Sequence, residues 1–390
     1  MTIKSLKQQR VWRGRKVLLR VDFNVPTVKG RISEDYRIVA ALPGIKYLLA
    51  KGARVIIISH WGDPAGVEPQ LSTRALARRL QKLLKQPVKF LPVTVGPKAI
   101  KAAEQLDNGE ILFLENLRFN PGEKKNDLVF AQELAALADI YVNDAFSVCH
   151  RAQASVSAIT KYLPAFAGLQ LEAEVKNLQK ILRPTKPLVV VMGGAKISTK
   201  APIIKKLYSR ASHILLGGGL ANTFWRQQGL EIGKSIFDQE ADKLIASFYK
   251  KGKLLPKIIL PVDAVVSTSQ GRSAHRELKS IKKSDKIFDI GPESIALFSS
   301  YLKKAQTIVW NGPLGKFEEA AYKHGTLAIG GIIAARSTGR AFGLVGGGET
   351  VEALKMTKME AYVDWVSTAG GAMLSYLGGE KMPGLKNIII

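Results

Sequence analysis

The chain has little cysteine and little histidine. Its 390 residues contain one cysteine, Cys149, and five histidines. A single cysteine excludes a disulfide within the chain and fits a reducing compartment. The five histidines are scattered and form no cluster of several Cys and His residues, so a structural zinc site is also disfavoured. The fold must therefore depend on its hydrophobic core.

Long apolar runs are also missing. No run approaches the roughly 20 residues that a membrane-spanning helix needs, and the start, "MTIKSLKQQRVWRGRK", lacks the apolar region of a secretory signal. Hydrophobic residues nevertheless make up 46% of the chain, and 390 residues are too many for one ordinary core. We expect a cytoplasmic protein with two domains and no membrane partner.

Acidic residues are scarce relative to basic ones. The chain has 32 Asp and Glu against 58 Lys and Arg, a formal net charge of +26. This charge favours anionic partners, and it is typical either of a polyanion-binding protein or of an ordinary enzyme with a basic surface. The basic residues are spread along helix-like segments such as "TRALARRLQKLLK" and are not gathered in one arm. That spread favours the second interpretation, while the charge keeps nucleic acid open as a partner.

Short β-rich runs alternate with longer amphipathic segments along the whole chain. Eleven runs are predicted to be strands: 16–24, 55–59, 88–91, 111–117, 140–144, 188–194, 213–219, 258–266, 307–312, 341–348 and 362–367. Near-continuous apolar strands that alternate with helices indicate parallel sheets covered on both faces. The predicted fold class is α/β, with two doubly wound, Rossmann-like parallel-sheet domains. They are joined by a helix that ends at Arg183-Pro184.

The residues that follow the predicted strands differ between the two halves. Ligands of such folds bind outside the carboxyl ends of the strands. In the first half these ends carry His60, Arg118 and Arg151, and arginines suit a substrate with carboxylate or phosphate groups. In the second half they carry glycine turns: "GGAK", "GGGLANTF", "WNGPLG" and "GGGET". Such turns let backbone N–H groups approach phosphate, so they favour a nucleotide.

Two other patterns are interpreted as having no catalytic role. The segment "GLEIGKS" (229–235) resembles a phosphate-binding loop, but it has one residue too few between its glycines and follows no apolar strand. Cys149 and His150 are neighbours, and neighbouring side chains on an extended segment point in opposite directions. We therefore predict neither a phosphate cradle nor a nucleophile–base pair at these positions.

The quoted strand ends resemble those of the phosphoglycerate kinases over essentially the whole chain. The motifs that carry the resemblance occur in that family's order: "RVDFNVP", "SHWGDP", "LENLRF", "VNDAF", "HRAQAS", "GGAKISTK", "GGGLANTF", "DIGP", "WNGPLGKFE", "GGGET" and "STAGG". The resemblance implies reversible phosphoryl transfer from 1,3-bisphosphoglycerate to ADP, with magnesium, by a hinge-bending monomer. It also implies four segments: an N-terminal phosphoglycerate-binding domain at 1–168, a hinge helix at 169–186, a C-terminal nucleotide-binding domain at 187–368, and a C-terminal segment at 369–390 that returns to the N-terminal domain.

The resemblance also assigns site residues. A substrate-binding set is implied for Asp22, Asn24, Arg37, His60, Arg118 and Arg151. Catalytic roles are implied for Arg37, Lys200, Gly347 and Gly370. A nucleotide-binding set is implied for Gly194, Lys196, Lys200, Gly218, Asn311, Glu318, Gly346, Gly347, Gly348, Glu349 and Thr350. Lys196 and Lys200 would share one face if a helix begins there.

Glu349 has two interpretations. An acid in the first turn of a helix is stabilised by the helix dipole, so Glu349 taken alone is as typical of a cap as of a site. A carboxylate beside polyphosphate is repelled unless a cation lies between them, and magnesium commonly uses one or two carboxylates with phosphate oxygens. We therefore predict Glu349 as the magnesium ligand.

Several positions depart from the family pattern. Asp63 stands where the family has a substrate-binding arginine, and Glu349 stands where it has aspartate. The other departures are Gln153, Thr199, Ala369 and Met373. They keep two alternatives open: a related protein with lost or altered catalysis that binds nucleotide or polyanion, and a kinase for another carboxylate. The resemblance favours the active kinase.

Overall fold

A computed structural model describes residues 3–28 and 30–390 of the chain. The chain divides into two compact units, one reaching to Lys176 and including Lys381–Ile390, the other Asn177–Glu380. The division falls within one helix, α6, which spans Leu169–Leu182. Residues 369–380, assigned from the sequence to the returning segment, group with the second unit. None of the described helices is both long and apolar enough to span a bilayer.

The first unit is built on a six-stranded parallel sheet. Its elements before α6 are, in chain order, β1 Lys16–Arg20, β2 Thr27–Val28, β3 Arg31–Ile32, α1 Tyr36–Ala50, β4 Arg54–Ile58, α2 Arg74–Leu84, β5 Lys89–Leu91, α3 Pro97–Glu104, β6 Ile111–Leu114, α4 Gly122–Lys125, α5 Leu128–Ala135, β7 Ile140–Asn143 and β8 Ala165–Ala167. The sheet order is β5-β6-β4-β1-β7-β8. Leu18 of β1 pairs with Ile56 on one side and Tyr141 on the other. The inner strands β1, β4, β6 and β7 are buried on both faces, as parallel strands covered by helices must be, whereas the edge strand β5 is partly exposed.

The second unit repeats this plan. After α6 its elements are β9 Leu188–Met192, α7 Ala201–Tyr208, β10 His213–Leu216, α8 Gly219–Gln227, α9 Asp242–Ala246, β11 Tyr249–Lys250, β12 Lys253–Leu254, β13 Ile258–Ile259, β14 Asp263–Ser267, β15 Ser273–Glu277, β16 Lys286–Ile290, α10 Pro292–Leu302, β17 Thr307–Asn311, α11 His324–Ser337, β18 Phe342–Gly346, α12 Gly348–Met356, β19 Trp365–Ser367 and α13 Gly371–Gly378. The parallel sheet has the order β13-β10-β9-β17-β18-β19. The strand order reverses between β9 and β17, where such folds bind ligands. The predicted α/β class with two parallel-sheet domains is confirmed.

One predicted strand is wrong. The run 258–266 forms two strands: β13 joins the parallel sheet, whereas β14 pairs antiparallel with β15 and β16. Pro261 lies between them and has no N–H to donate to a ladder, so a continuous strand is interrupted there. The three-stranded antiparallel sheet was not predicted from the sequence. Its strand β15 consists mainly of polar and charged residues, so it lacks the apolar run by which strands are predicted.

Candidate functional site

In the first unit, polar side chains gather where β1 and β4 end. Asp22 follows β1, and its carboxylate accepts a hydrogen bond from Arg37 at 2.5 Å, another from Ser147 and a third from the N–H of Asn24. Burial alone raises the pKa of Asp22, but the charge of Arg37 and these hydrogen bonds outweigh it and lower the pKa below its usual value. Asp22 is therefore ionised, and it orients the Arg37 guanidinium.

His60, at the end of β4, is buried and neutral. Burial and the nearby charge of Arg20 hold the pKa of His60 well below its usual value. Arg20 Nη2 lies 3.1 Å from His60 Nδ1. A guanidinium can only donate, so Nδ1 accepts and the ring proton lies on Nε2. His60 therefore offers an N–H donor without a charge.

Asn24 and Arg118 both bind the turn at Gly62. Asn24 Oδ1 accepts from the N–H of Gly62 at 2.9 Å, and the Arg118 guanidinium donates to the Gly62 carbonyl. Gly62 has φ of +64°, a conformation that side chains disfavour. Arg118 also lies 3.2 Å from the carboxylate of Asp63. The amide nitrogen of Asn24 is thereby turned away from this turn, and the position of Arg118 is fixed.

Arg151 is exposed, and its Nε lies 3.2 Å from Nε2 of the neighbouring His150. The electrostatic neighbours of Arg118 include Arg20 and Arg151 as cations. Gln153, a departure from the family pattern, is 4% exposed and supports the nearby turn through its carbonyl. The first unit thus brings all six predicted substrate-binding residues to the carboxyl end of its sheet, with several positive charges near one another.

In the second unit, Lys200 and Asn311 meet at the reversal of the strand order. Lys200 precedes α7, and its ammonium donates to the side-chain oxygen of Asn311 at the end of β17. Asn311 Nδ2 in turn donates to the carbonyl of Gly346 at 2.6 Å. Burial lowers the pKa of Lys200 to about 8, although the nearby charge of Glu349 acts in the opposite direction. Asn311 therefore positions a lysine whose charge is held in a partly desolvated site.

The "GGGET" segment forms the turn from β18 into α12. Gly347 has φ of +102°, and a Cβ there would lie 2.8 Å from the amide nitrogen of Asn311. Thr350 is buried, and its hydroxyl accepts from the N–H of Gly312 at 2.6 Å. Glu349 is exposed in the first turn of α12, so both the capping interpretation and the ligand interpretation fit its place.

A cavity of about 340 Å³ opens beside these residues. Its lining combines apolar side chains, glycine turns and a few charged groups, and it includes four predicted nucleotide-binding residues: Gly194, Gly218, Glu318 and Glu349. Gly194 and Gly218 both have positive φ. An apolar slot edged by glycine turns has room for a flat base and close backbone contact with phosphate. Glu318 is exposed at the edge, where it can accept hydrogen bonds from hydroxyl groups.

The sequence predicted that Lys196 and Lys200 share one helical face if a helix begins at this segment, and the structure does not meet that condition. The helix begins at Ala201, with Pro202 in its first turn, so neither Lys196 nor Lys200 lies within it. Proline favours the start of a helix because its missing N–H has no partner there in any case. Lys196 is exposed, and its carbonyl accepts from the hydroxyl of Thr199 at 2.9 Å.

The last predicted residues lie at the start of α13. Gly370 precedes α13 with φ of +49°. Ala369 and Met373 are both buried, and the sulfur of Met373 lies too close to Gly346 to leave room for a Cβ there. Methionine at 373 thus packs against the glycine turn.

A different group of potential metal ligands lies outside the predicted site. The ligand atoms of Asp263, His275 and Glu293 lie within 4.8 Å of one another. Asp263 accepts from the N–H groups of Glu293 and Ser294 at the start of α10, and from His275 Nε2 at 2.8 Å. These hydrogen bonds cap α10 and already satisfy the buried carboxylate.

Cys149 is fully buried, and burial raises the pKa of its thiol to about 12. A protonated, buried thiol is a poor nucleophile. This geometry agrees with the sequence interpretation, in which Cys149 and His150 have no catalytic role.

Sequence reasoning missed the residues that hold the predicted ones in place. Arg20 fixes the tautomer of His60, Ser147 binds Asp22, and Lys124 lies 2.5 Å from the carboxylate of Asp63. One signal was present for Arg20: a charged residue that ends a buried strand must be paired. Ser147 and Lys124 gave no comparable signal.

Comparisons with known proteins agree over nearly the whole chain. A family model described as phosphoglycerate kinase matches residues 7–380. A phosphoglycerate kinase from Fervidobacterium nodosum is 42% identical over 386 residues, covering 96% of each chain. The structure of phosphoglycerate kinase from Coxiella burnetii has a TM-score of 0.88 at 35% identity and covers 99% of both chains. That from Pyrococcus horikoshii OT3 has a TM-score of 0.85 at 31% identity, covering 99% of this chain and 98% of the other.

Proposed function

The chain belongs to the phosphoglycerate kinase family, and from that premise we propose how its residues divide the work of phosphoryl transfer. The enzyme is a phosphotransferase that acts on small molecules. In the proposed direction, an oxygen of the ADP terminal phosphate attacks the acyl phosphate of 1,3-bisphosphoglycerate. The bond from phosphorus to the carboxyl oxygen breaks, which leaves 3-phosphoglycerate and ATP. Such a transfer needs positioning and charge neutralisation rather than covalent help.

On the first unit, the proposed phosphoglycerate site uses charge from arginines and neutral donors from His60 and Asn24. Arg118 and Arg151 bind the anionic ends of the substrate. Arg37, oriented by Asp22 at 2.5 Å, neutralises charge on the transferring group. A neutral His60 donates its Nε2–H to an oxygen without adding charge. The observation that carries this proposal is the gathering of all six predicted residues at one sheet end.

On the second unit, the proposed nucleotide site lies between the glycine turns and the cavity edge. Lys200, held by Asn311, contacts phosphate together with Lys196 and the N–H groups of Gly346, Gly347 and Gly348. Glu318 accepts hydrogen bonds from the ribose hydroxyls. Gly370, whose positive φ opens the turn before α13, lets backbone approach the transferring group.

The residues present also fit magnesium. Glu349 is an exposed carboxylate near Lys200 at the edge of the cavity, and magnesium prefers oxygen ligands from one or two carboxylates plus phosphates. When bound, the ion would neutralise phosphate charge during transfer. Glu349 would hold it.

The remaining terms of the proposal rest on family membership. They are a monomer, a cytoplasmic location, a domain closure that excludes water, and the roles of segments 1–168, 169–186, 187–368 and 369–390. Nothing in the comparisons supports the alternative of a binding protein without catalysis. Asp63, the departure that suggested it, has basic neighbours, Arg118 and Lys124.

The proposed roles are tested through Arg37. ATP formation from 1,3-bisphosphoglycerate and ADP is measured in a coupled assay for the unmodified enzyme, Arg37→Ala and Arg31→Ala, an exposed arginine of β3. We expect Arg37→Ala to lower kcat by at least about a hundredfold, as loss of a transition-state donor does. Arg31→Ala should stay within about twofold. Equal turnover of Arg37→Ala and the unmodified enzyme would remove Arg37 from the mechanism.

A further inference from the structure

Asp63 places a negative charge at the end of β4, in the middle of a basic region. Its carboxylate is 71% exposed, and one oxygen, Oδ1, contacts two cations. Arg118 Nη1 lies 3.2 Å away and Lys124 Nζ lies 2.5 Å away. The resemblance gives an arginine at position 63. The structure therefore shows an acid where a cation is expected, with an additional cation beside it.

The hydrogen bond and charge of Lys124, and the charge of Arg118, outweigh the small effect of burial and lower the pKa of Asp63. Asp63 is therefore ionised. The pair it forms with Lys124 adds little to stability, because both side chains are exposed and solvent screens the attraction between exposed charges. A gain in stability therefore does not explain this ion pair. Its effect is to fix the position of the Lys124 ammonium.

The backbone of Lys124 is held in place by the hydrogen bonds of its neighbour Glu123. Lys124 lies on the short helix α4 beside Glu123, which is fully buried. The carboxylate of Glu123 accepts from the N–H of Ser155 at 2.9 Å and from its hydroxyl at 2.6 Å. The same serine accepts from Nε of Arg20, the residue that orients His60. α4 is therefore tied to the predicted substrate site by hydrogen bonds.

The ammonium of Lys124 keeps a donor for a ligand. An ammonium has three N–H donors. Asp63 takes one, and the carbonyl of Pro64, 3.4 Å away, takes a second at long range. Lys124 is 43% exposed, so the remaining donor can reach a dissolved anion. Arg118 contacts the same oxygen of Asp63 as Lys124 does, so an anion bound by Arg118 comes close to Lys124.

Two other basic residues of this unit, both on α2, contact partners of their own. Arg79 pairs with Asp35 at 2.6 Å, and the guanidinium of Arg74 lies over the ring of Phe90 at 4.5 Å. These contacts direct both side chains to other partners. Lys124, which contacts Asp63 directly, is the cation that the geometry favours.

We propose that Lys124 is a substrate-binding residue that supplies the positive charge absent from position 63, and that Asp63 is a positioning residue that holds Lys124 beside Arg118. The inference rests on the proposed function, because its ligand is the phosphoglycerate of that reaction. In this chain α4 supplies the cation that the turn after β4 supplies in the family pattern. The ligand contact is a charge-assisted hydrogen bond to a carboxylate or phosphate oxygen.

The test measures binding of 3-phosphoglycerate by calorimetry, and its KM in steady-state kinetics, for the full chain. Lys124→Ala is compared with Lys125→Ala, an exposed neighbour on the same helix with no contact to Asp63 among the described ion pairs. We expect Lys124→Ala to raise Kd and KM for 3-phosphoglycerate by about tenfold or more, as loss of a charged hydrogen bond does. KM for ATP and the thermal midpoint should change little. Lys125→Ala should stay within about twofold.

A Kd for Lys124→Ala within twofold of the unmodified value would overturn the proposal even if the enzyme turns over normally. Absence of turnover in the unmodified enzyme would instead contradict the proposed function, and the calorimetric comparison would still decide the role of Lys124. The two failures are therefore distinguishable.

Two further variants test Asp63 and the exchange of charge. Loss of the positioning carboxylate in Asp63→Ala should shrink the effect of Lys124→Ala on Kd, since an unheld ammonium contributes less. The double variant Asp63→Arg with Lys124→Ala should bind 3-phosphoglycerate several-fold better than Lys124→Ala alone, because a cation returns to the same place. Additive single effects, or no recovery in the double variant, would show that the two positions do not serve one anion.

Discussion

At the scale of single residues, the second unit holds a lysine whose charge is sensitive to pH near neutrality. Burial lowers the pKa of Lys200 to about 8, and the carboxylate of Glu349 acts against that shift. The proton is therefore released at a pH roughly 2.5 units lower than from an ordinary lysine. A phosphate contact made by this ammonium should weaken as pH rises through 8.

We expect Lys200→Arg to remove this pH dependence. In the substrate-free enzyme Lys200 is roughly nine-tenths protonated at pH 7 and one-tenth protonated at pH 9. The Kd for ADP with magnesium should therefore rise several-fold over that range. A guanidinium keeps its charge, so Lys200→Arg should bind more weakly at pH 7 yet show a nearly flat profile. Calorimetric titrations at the two pH values measure both effects.

Lys196→Arg is the matched control, since Lys196 is an exposed lysine of the same segment. It should keep the rise in Kd. A rise of the same size in Lys200→Arg would mean that another group controls the pH dependence.

Residue roles could be predicted only where a motif carried them. The sequence placed Arg37 and Asn311 among the site residues, and these roles stay predictions. It could not show that Arg20 sets the tautomer of His60, or that Lys124 approaches Asp63, because both contacts join residues far apart in the chain. The sequence showed only that Asp63 is an acid where the family has an arginine.

At the scale of elements, the turn from β18 into α12 depends on one conformation. Gly347 has φ of +102° and its neighbour Gly348 begins the helix. A Cβ on Gly347 would lie 2.8 Å from the amide of Asn311, whereas nothing lies within 4 Å of a Cβ on Gly348. Adjacent glycines in the same turn therefore have different reasons to be glycine.

Gly347→Ala should destabilise the second unit by about 1–3 kcal/mol, through backbone strain and displacement of Asn311. The free energy of unfolding is measured in urea. Because Asn311 also holds Lys200, the Kd for ADP should rise in the same variant.

Gly348→Ala is the control for stability, since alanine favours a helix by up to about 1 kcal/mol over glycine. It should leave the free energy of unfolding unchanged or slightly higher. Equal destabilisation by both substitutions would contradict the conformational argument.

Elements were predictable where apolar periodicity is strong. Most parallel strands follow near-continuous apolar runs such as β9 and β17, and they form where expected. The exception is the short edge strand β8, Ala165–Ala167, which was not predicted. The antiparallel sheet was missed because β15 is polar and Pro261 divides an apparent single run. The segment 195–200 is not helical, because α7 begins only at Ala201, with Pro202 in its first turn. Local composition predicts strands better than it predicts where a chain turns.

At the scale of the whole molecule, the net charge of +26 exceeds anything the candidate sites require. The proposed substrates are all anionic, and a positive field raises their rate of encounter with the protein. Such steering weakens when salt screens the field, because the screening length falls from about 30 Å at 0.01 M to about 8 Å at 0.15 M. The field acts at long range, so residues outside the sites should contribute to it.

We therefore expect kcat/KM for 3-phosphoglycerate to fall several-fold between about 0.01 M and 0.3 M salt, with kcat nearly constant. Four exposed lysines in α2, directly after α2 and in α3 are suitable for charge reversal, since they lie outside both sets of predicted site residues: Lys82, Lys85, Lys98 and Lys101. Changing all four to Glu lowers the net charge to about +18. The variant should have lower kcat/KM at low salt, the same value at high salt and a shallower salt dependence.

If the unmodified enzyme and the variant show the same slope of kcat/KM against ionic strength, the excess charge does not steer substrate. Tight, salt-sensitive retention on nucleic acid that the four substitutions abolish would then favour a polyanion as its target.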